Sequence, residues 1–166
     1  MTGSAPRFVV VAGPSGCGKT TVAAAAAEIV DAMFFEADDY HADEARAAMA
    51  TGIALRDAER RPWIARLTDA VRVADPPRAV IACSALNPVV RDWLSAGLPG
   101  HALFAFIDVP RDELSRRLAA RRGHFAGTDL LSSQLAALHP GGMIRLDGQD
   151  PPTVLARRVA GLFDAD

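Results

Sequence analysis

Eight residues near the start of the chain carry the densest chemical signal. Gly13-Pro14-Ser15-Gly16-Cys17-Gly18-Lys19-Thr20 fits G-x-x-x-x-G-K-[ST], the spacing of a phosphate-binding P-loop. Gly13, Gly16 and Gly18 lack Cβ atoms, so the loop can take turns closed to other residues and aim its backbone N–H groups at phosphate oxygens. The start of the following helix adds unpaired N–H groups and a positive dipole end. Lys19 would reach the β- and γ-phosphates, and the Thr20 hydroxyl would bind Mg²⁺. Ser15 and Cys17 belong to the same nucleotide-binding loop. Thr21 is carried with that set, although its position reads first as an ordinary helix residue. A glycine turn that merely precedes a helix is the plain alternative. Against it, Lys19 is the only lysine among 18 basic residues, at the place where the motif wants a slim point charge and not a planar guanidinium.

Further along, Asp38-Asp39-Tyr40-His41 follows a short apolar run. A carboxylate there could orient an Mg²⁺-bound water or take the proton of an acceptor hydroxyl. Asp38, nearer the strand end, is the preferred candidate for both the catalytic and the metal role. Asp39 reads equally as an N-cap of the next helix. His41 is a candidate acceptor contact or a surface histidine. Arg60 and Arg61 fall on the first turns of a helix, where cations oppose the dipole and hint at a nearby anion. On physics alone the pair reads as a solvated face with Trp63 in the core. Arg116, Arg117, Arg121 and Arg122 cluster before Gly123-His124-Phe125. They read as a basic helix end, or as a lid that carries an arginine over the transferring phosphoryl group. With a P-loop in the same chain, the lid is preferred.

These groups need a scaffold. Phe8-Val9-Val10-Val11-Ala12 is short, apolar and β-branched, as a buried parallel strand should be. Four more strands are predicted over 33–37, 79–84, 103–109 and 143–147. Helices are predicted between them: 21–30, 42–51 with Gly52 as a C-terminal stop, one from an N-cap at Asp57 to about 74, and 88–96. Another starts at Pro110 as its first residue, and 130–138 and 153–163 complete the set. Strands alternating with helices give an α/β fold, a five-stranded parallel sheet covered on both faces, with the active site across the strand C-terminal ends. No aspartate ends the third strand, so the usual second Mg²⁺ anchor of P-loop enzymes is missing there; Asp38 could supply it from the neighbouring strand.

At 166 residues the chain is one domain, and half its residues are hydrophobic, which excludes disorder. A net charge of −2 argues against a general nucleic-acid binder. Apolar runs are too short to span a bilayer, and the first residues lack the apolar core of a signal peptide. A soluble cytoplasmic protein is expected. The two cysteines, Cys17 and Cys83, read as small buried residues and not as a disulfide framework.

Taken together, the motifs resemble those of the gluconokinase family of small P-loop sugar-acid kinases, over nearly the whole chain. Asp38 and His41 match G-D-x-x-H-P, and Met49 and Gly52 match K-M-x-x-G. Leu55, Asp57, Glu59, Arg60, Pro62 and Trp63 match P-L-x-D-x-D-R-x-P-W. Cys83-Ser84-Ala85-Leu86 with Arg91-Asp92 matches C-S-A-L-K-x-x-Y-R-D. Arg122-Gly123-His124-Phe125, then Leu131, Ser133 and Gln134, match the lid patterns R-x-G-H-F and L-L-x-S-Q. The resemblance implies a single P-loop kinase domain over 1–166 with a helical lid near 117–138. It implies ATP- and Mg²⁺-dependent phosphorylation of gluconate to 6-phosphogluconate, and family members are often homodimers. It supports Arg121 and Arg122 as lid arginines, and Arg60 beside an anion. His41, Arg60, Arg91 and His124 are the acceptor candidates. The chain also departs from the family. Ala42 replaces a proline, Ala45 an asparagine, Ala48 and Asn87 lysines, and Val90 a tyrosine, and the segment after Leu138 is shortened. Several of the lost groups are polar or cationic and would sit around the acceptor pocket. These departures leave the phosphoryl-transfer groups in place and fall on the acceptor side. A different small alcohol, or a nucleotide-binding module without turnover, stays open.

Overall fold

The computed structural model describes residues 5–121 and 127–165. Its centre is a five-stranded, wholly parallel sheet in the order β2-β3-β1-β4-β5. The strands are β1 (Phe8–Ala12), β2 (Met33–Glu36), β3 (Ala79–Ala82), β4 (Ala102–Asp108) and β5 (Ile144–Asp147). The seven α-helices among the described residues are α1 (Lys19–Ile29), α2 (Asp43–Ala50), α3 (Asp57–Ala74), α4 (Pro88–Gly97), α5 (Arg111–Ala120), α6 (Gly127–Ala137) and α7 (Pro152–Gly161).

β1 sits in the middle because nothing in it needs water. All five residues are fully buried. Its side chains alternate between two cores, as the period of two requires. Val9 and Val11 pack with α1, α5, α6 and α7, while Phe8, Val10 and Ala12 pack with α3 and α4. Each of these valines contributes about 1.5–3 kcal/mol by leaving water. The edge strands are poorer: in β5 only Leu146 is buried. Among the described residues, no helix is long and apolar enough to cross a membrane.

The expected elements are present, with shifts at their ends. α1 starts at Lys19, two residues before the expected 21, because Gly18 is its N-cap. Arg56 caps α3, and Asp57 is its first residue; the Glu59 carboxylate accepts the Arg56 backbone N–H at 2.7 Å. Pro110 caps α5 from outside instead of opening it. Asp39 is no N-cap: it lies in a 3₁₀ turn, Ala37–Tyr40, and α2 begins after Ala42. α6 opens the expected lid helix earlier, at Gly127. Arg122 and His124, named above for the lid and the acceptor, lie outside the described residues.

Candidate active site

Where β1 ends, the chain turns sharply into α1. Gly13 has φ +154°, and a Cβ there would stand 2.5 Å from the Cys17 sulfur, so only glycine fits over that buried thiol. The Gly13 N–H donates to the Ser84 carbonyl at 3.2 Å and ties the loop to the end of β3. Gly18, at φ +93°, makes the last left-handed step into the helix. Lys19 and Thr20 are then the first two helical residues. Thr21 is exposed on the first turn and does not line the cavity beside the loop.

The Thr20 hydroxyl is not free. It donates to the Glu36 carboxylate at 2.5 Å. Glu36 ends β2, and its other oxygen accepts the Asp38 N–H at 3.3 Å, fixing the 3₁₀ turn. Sequence reasoning passed over Glu36, although the rule that strand C-termini face the ligand applies to it as well as to Asp38. The carboxylate beside Thr20 is therefore Glu36, while Asp38 faces a cavity. Among the described residues no group of three His, Cys, Asp or Glu could hold a metal. A hydroxyl and one carboxylate do suit Mg²⁺, which takes few protein oxygens and completes its shell with water and phosphate.

The cavity encloses about 420 Å³ beside the phosphate loop. Ser15, Lys19, Asp38, His41, Arg60 and Trp63 all line it, so the structure brings together the loop lysine, the carboxylate and two of the acceptor candidates. His41 lies flat on Trp63, with ring centroids 4.1 Å apart and planes 16° from parallel. Trp63 in turn donates Nε1–H to the Ala37 carbonyl at 2.6 Å, which holds the turn carrying Asp38. His41 Nε2 stands 3.8 Å from the Asp38 carboxylate, and its buried Nδ1 has no partner among the described residues. Burial lowers the His41 pKa; Asp38 opposes this, and Arg46 and Arg66 add to it. Burial thus favours the neutral ring. Arg60 pairs with Asp57 at 3.1 Å on its own helix.

Other expected contacts lie elsewhere. Arg91 does not reach the cavity. It is 7% exposed, and its guanidinium donates to four backbone carbonyls: Ala85 at 2.8 Å, Leu86 at 3.2 Å, His139 at 2.7 Å and Gly141 at 3.2 Å. It is a strut. Ala85 is held at φ +43°, a left-handed step that costs a non-glycine residue about 1–2 kcal/mol, and Arg91 grips its carbonyl. Arg121 is the exposed C-cap of α5 and does not line the cavity. Arg117 instead touches the loop: it pairs with Glu113 and reaches the Gly16 and Cys17 carbonyls at 3.5 Å and Gly148 at 3.3 Å. Gln134 on α6 accepts the Ser15 N–H at 2.8 Å and donates to the Ser15 hydroxyl at 3.3 Å, docking α6 on the phosphate loop. Cys83 is a core residue, its thiol pushed up to about 12 by burial.

The departures noted above divide. Asn87 and Val90 line the cavity, and the Asn87 side chain caps α4 by accepting the Val90 N–H at 2.9 Å. Ala45 and Ala48 do not line it.

The comparisons with known proteins agree with this architecture. The family model described as shikimate kinase matches residues 15–136. The gluconokinase of Gluconobacter oxydans (strain 621H) is 40% identical over 171 residues, covering 99% of this chain and 95% of that protein. A crystal structure of a gluconokinase from Sinorhizobium meliloti 1021 superposes with a TM-score of 0.83 at 33% identity, over 98% of this chain and 94% of that one. An unliganded sugar kinase from Janibacter sp. HTCC2649 gives a TM-score of 0.84 at 40% identity, over 96% and 95%. On this identity and coverage, with the phosphate loop and the cavity placed as above, the chain belongs to the gluconokinase family.

Proposed function

We propose that this protein transfers the γ-phosphoryl group of ATP to a hydroxyl of D-gluconate, giving 6-phosphogluconate and ADP. The observation that carries the reading is that Lys19 and Asp38 open onto one cavity, about 420 Å³ and within the range of small-molecule sites, beside the phosphate loop. The loop amides and Lys19 hold the β- and γ-phosphates. Asp38 accepts the proton of the acceptor hydroxyl, whose oxygen forms the new bond to phosphorus as the bond to the β-phosphate oxygen breaks and its electrons leave with ADP. His41 and Arg60, which line the cavity, orient the acceptor. Thr20 and Glu36 would hold Mg²⁺, which would neutralise charge on the phosphates. The lid carries Arg121 or Arg122 toward the γ-phosphate when it closes. The enzyme is placed in the cytoplasm, as a homodimer by analogy with the family, with no nucleic-acid or membrane partner.

The test is ADP release with Mg-ATP and D-gluconate, beside a panel of other sugar acids and polyols, with Lys19→Ala as control. Turnover on gluconate that Lys19→Ala lowers about 10³-fold or more is expected. A second reading rests on Asn87 and Val90, which replace family lysine and tyrosine in the cavity wall. Turnover on another panel member and not on gluconate would establish it. ATP binding with no acceptor-dependent turnover would sink both.

A further inference from the structure

The acceptor cavity has a cation that none of the family motifs contains. On α2 the residues that line it are Arg46, Met49 and Ala50. Their spacing of i, i+3, i+4 is one helix face, so the cavity looks at one turn of α2. Ala45 and Ala48, which stand where the family has asparagine and lysine, are off that face. The positive charge of this helix enters the cavity from position 46 instead.

The charged groups around the cavity have different commitments. Lys19 belongs to the phosphates. Arg60 is paired with the Asp57 carboxylate at 3.1 Å. Arg46 has no carboxylate within ion-pair distance among the described residues, and its one side-chain bond goes to a neutral acceptor, the Asp39 carbonyl, at 2.8 Å. That bond steadies one nitrogen of the guanidinium and leaves the rest of the fork to a ligand. A planar fork with spare N–H groups suits a carboxylate, which it can meet with two parallel hydrogen bonds. Arg46 and His41 both line the cavity.

We propose that Arg46 binds the carboxylate of the acceptor and sets the preference for a sugar acid over a neutral polyol. The inference rests on the sugar-acid reading above and names the group that would select the acid. Arg46 holds the end of the acceptor away from the transferred phosphoryl, so it acts on binding and not on the chemical step.

The test uses the wild-type enzyme, Arg46→Gln and Arg46→Lys. Gln removes the charge but keeps a donor for the Asp39 carbonyl; Lys restores the charge without the fork. Arg46→Gln is expected to raise KM for D-gluconate about 10- to 100-fold with kcat within about threefold, and Arg46→Lys to recover part of the loss. KM for Mg-ATP should not move. Calorimetry should show that wild type prefers D-gluconate over D-glucitol, its neutral counterpart, and that Arg46→Gln abolishes the preference. The proposal is overturned if Arg46→Gln keeps wild-type KM and preference. It is overturned equally if D-gluconate, D-glucitol and Mg-ATP all weaken together, the mark of a structural role. Wild type that neither turns over nor prefers any sugar acid overturns the substrate reading along with it; an active wild type with an indifferent Arg46→Gln overturns the Arg46 assignment alone.

Discussion

On the phosphate side of the cavity, Gly13, Gly16 and Cys17 are buried and the loop hangs from β1, all of whose residues are buried. On the acceptor side, α2 buries no residue. That wall is held by side chains reaching back to the main chain: Trp63 to Ala37, Arg46 to Asp39 and Arg66 to Tyr40, all at 2.6–2.8 Å. A site for a phosphate is made of backbone N–H groups, so it must be as rigid as the core beneath it. A site for a variable acceptor is made of side chains, and a helix free of core packing can change its sequence without cost to the fold. Substitutions of the buried loop residues on the first side should therefore cost stability, and those of exposed side chains on the second should cost catalysis or acceptor binding.

Asp38→Asn tests the second half hardest. The carboxylate is 66% exposed, so the variant should unfold at the wild-type urea midpoint. kcat should nevertheless fall about 10²- to 10⁴-fold, the usual worth of a positioned base. A large loss of stability with little loss of kcat would reverse the assignment of the two walls. Gly13→Ala tests the first half. Its Cβ would meet the Cys17 sulfur at 2.5 Å and the Ile107 carbonyl at 3.3 Å, at φ +154°. Urea unfolding should show a loss of about 1–3 kcal/mol. Adding Cys17→Ala should return part of that loss, because it removes the nearer clash; no recovery would place the strain in the backbone alone.

The same contrast explains what could be read from sequence. The P-loop, the sheet and its helices were legible because local signals coincide there: a β-branched run, spaced glycines, then a helix former. Lys19, Asp38 and His41 are legible from the residues themselves and Arg60 from the family resemblance, and they meet at one cavity. Arg46 is not, since one arginine on a short polar helix looks solvated until the helix face is known to border a cavity. Glu36 is hard to read from sequence because it closes the apolar run of a strand and two more exposed-looking carboxylates follow it. Arg91 was assigned to the acceptor because a burial partner cannot be read from a motif. Its four carbonyl contacts come from residues 85–86 and 139–141, which are far apart in sequence.

Trp63→Phe sharpens the comparison at a smaller scale. Trp63 is core by burial, 3% exposed, yet its indole N–H anchors the acceptor-side turn through the Ala37 carbonyl. Phenylalanine keeps a ring beneath His41 and deletes the hydrogen bond. A loss of about 1 kcal/mol in urea is expected. KM for the acceptor should rise severalfold and KM for Mg-ATP should stay put, because the turn loosens while the phosphate loop does not. Equal shifts in both KM values would mean that the two walls move as one body.

The smallest expected effect concerns pH. Burial pushes the His41 pKa below its ordinary 6.5 more strongly than Asp38 pulls it up, with Arg46 and Arg66 on the side of burial. Between the depressed folded value and about 6.5, the unfolded chain binds a proton at this position that the folded chain refuses. Stability contributed by the neutral ring is therefore present above pH 6.5, falls as pH drops through that window and levels off below it. In His41→Gln this component is absent, so the difference in urea midpoint between wild type and variant should shrink or invert from pH 7.5 toward pH 5.5. The slope is the quantity to compare, since the variant also loses the stacking on Trp63 at every pH. A wild type that gains on the variant as pH falls would mean that protonated His41 is held by Asp38. The acceptor wall would then be braced by an ion pair, and Asp38 would be partly committed before the acceptor arrives.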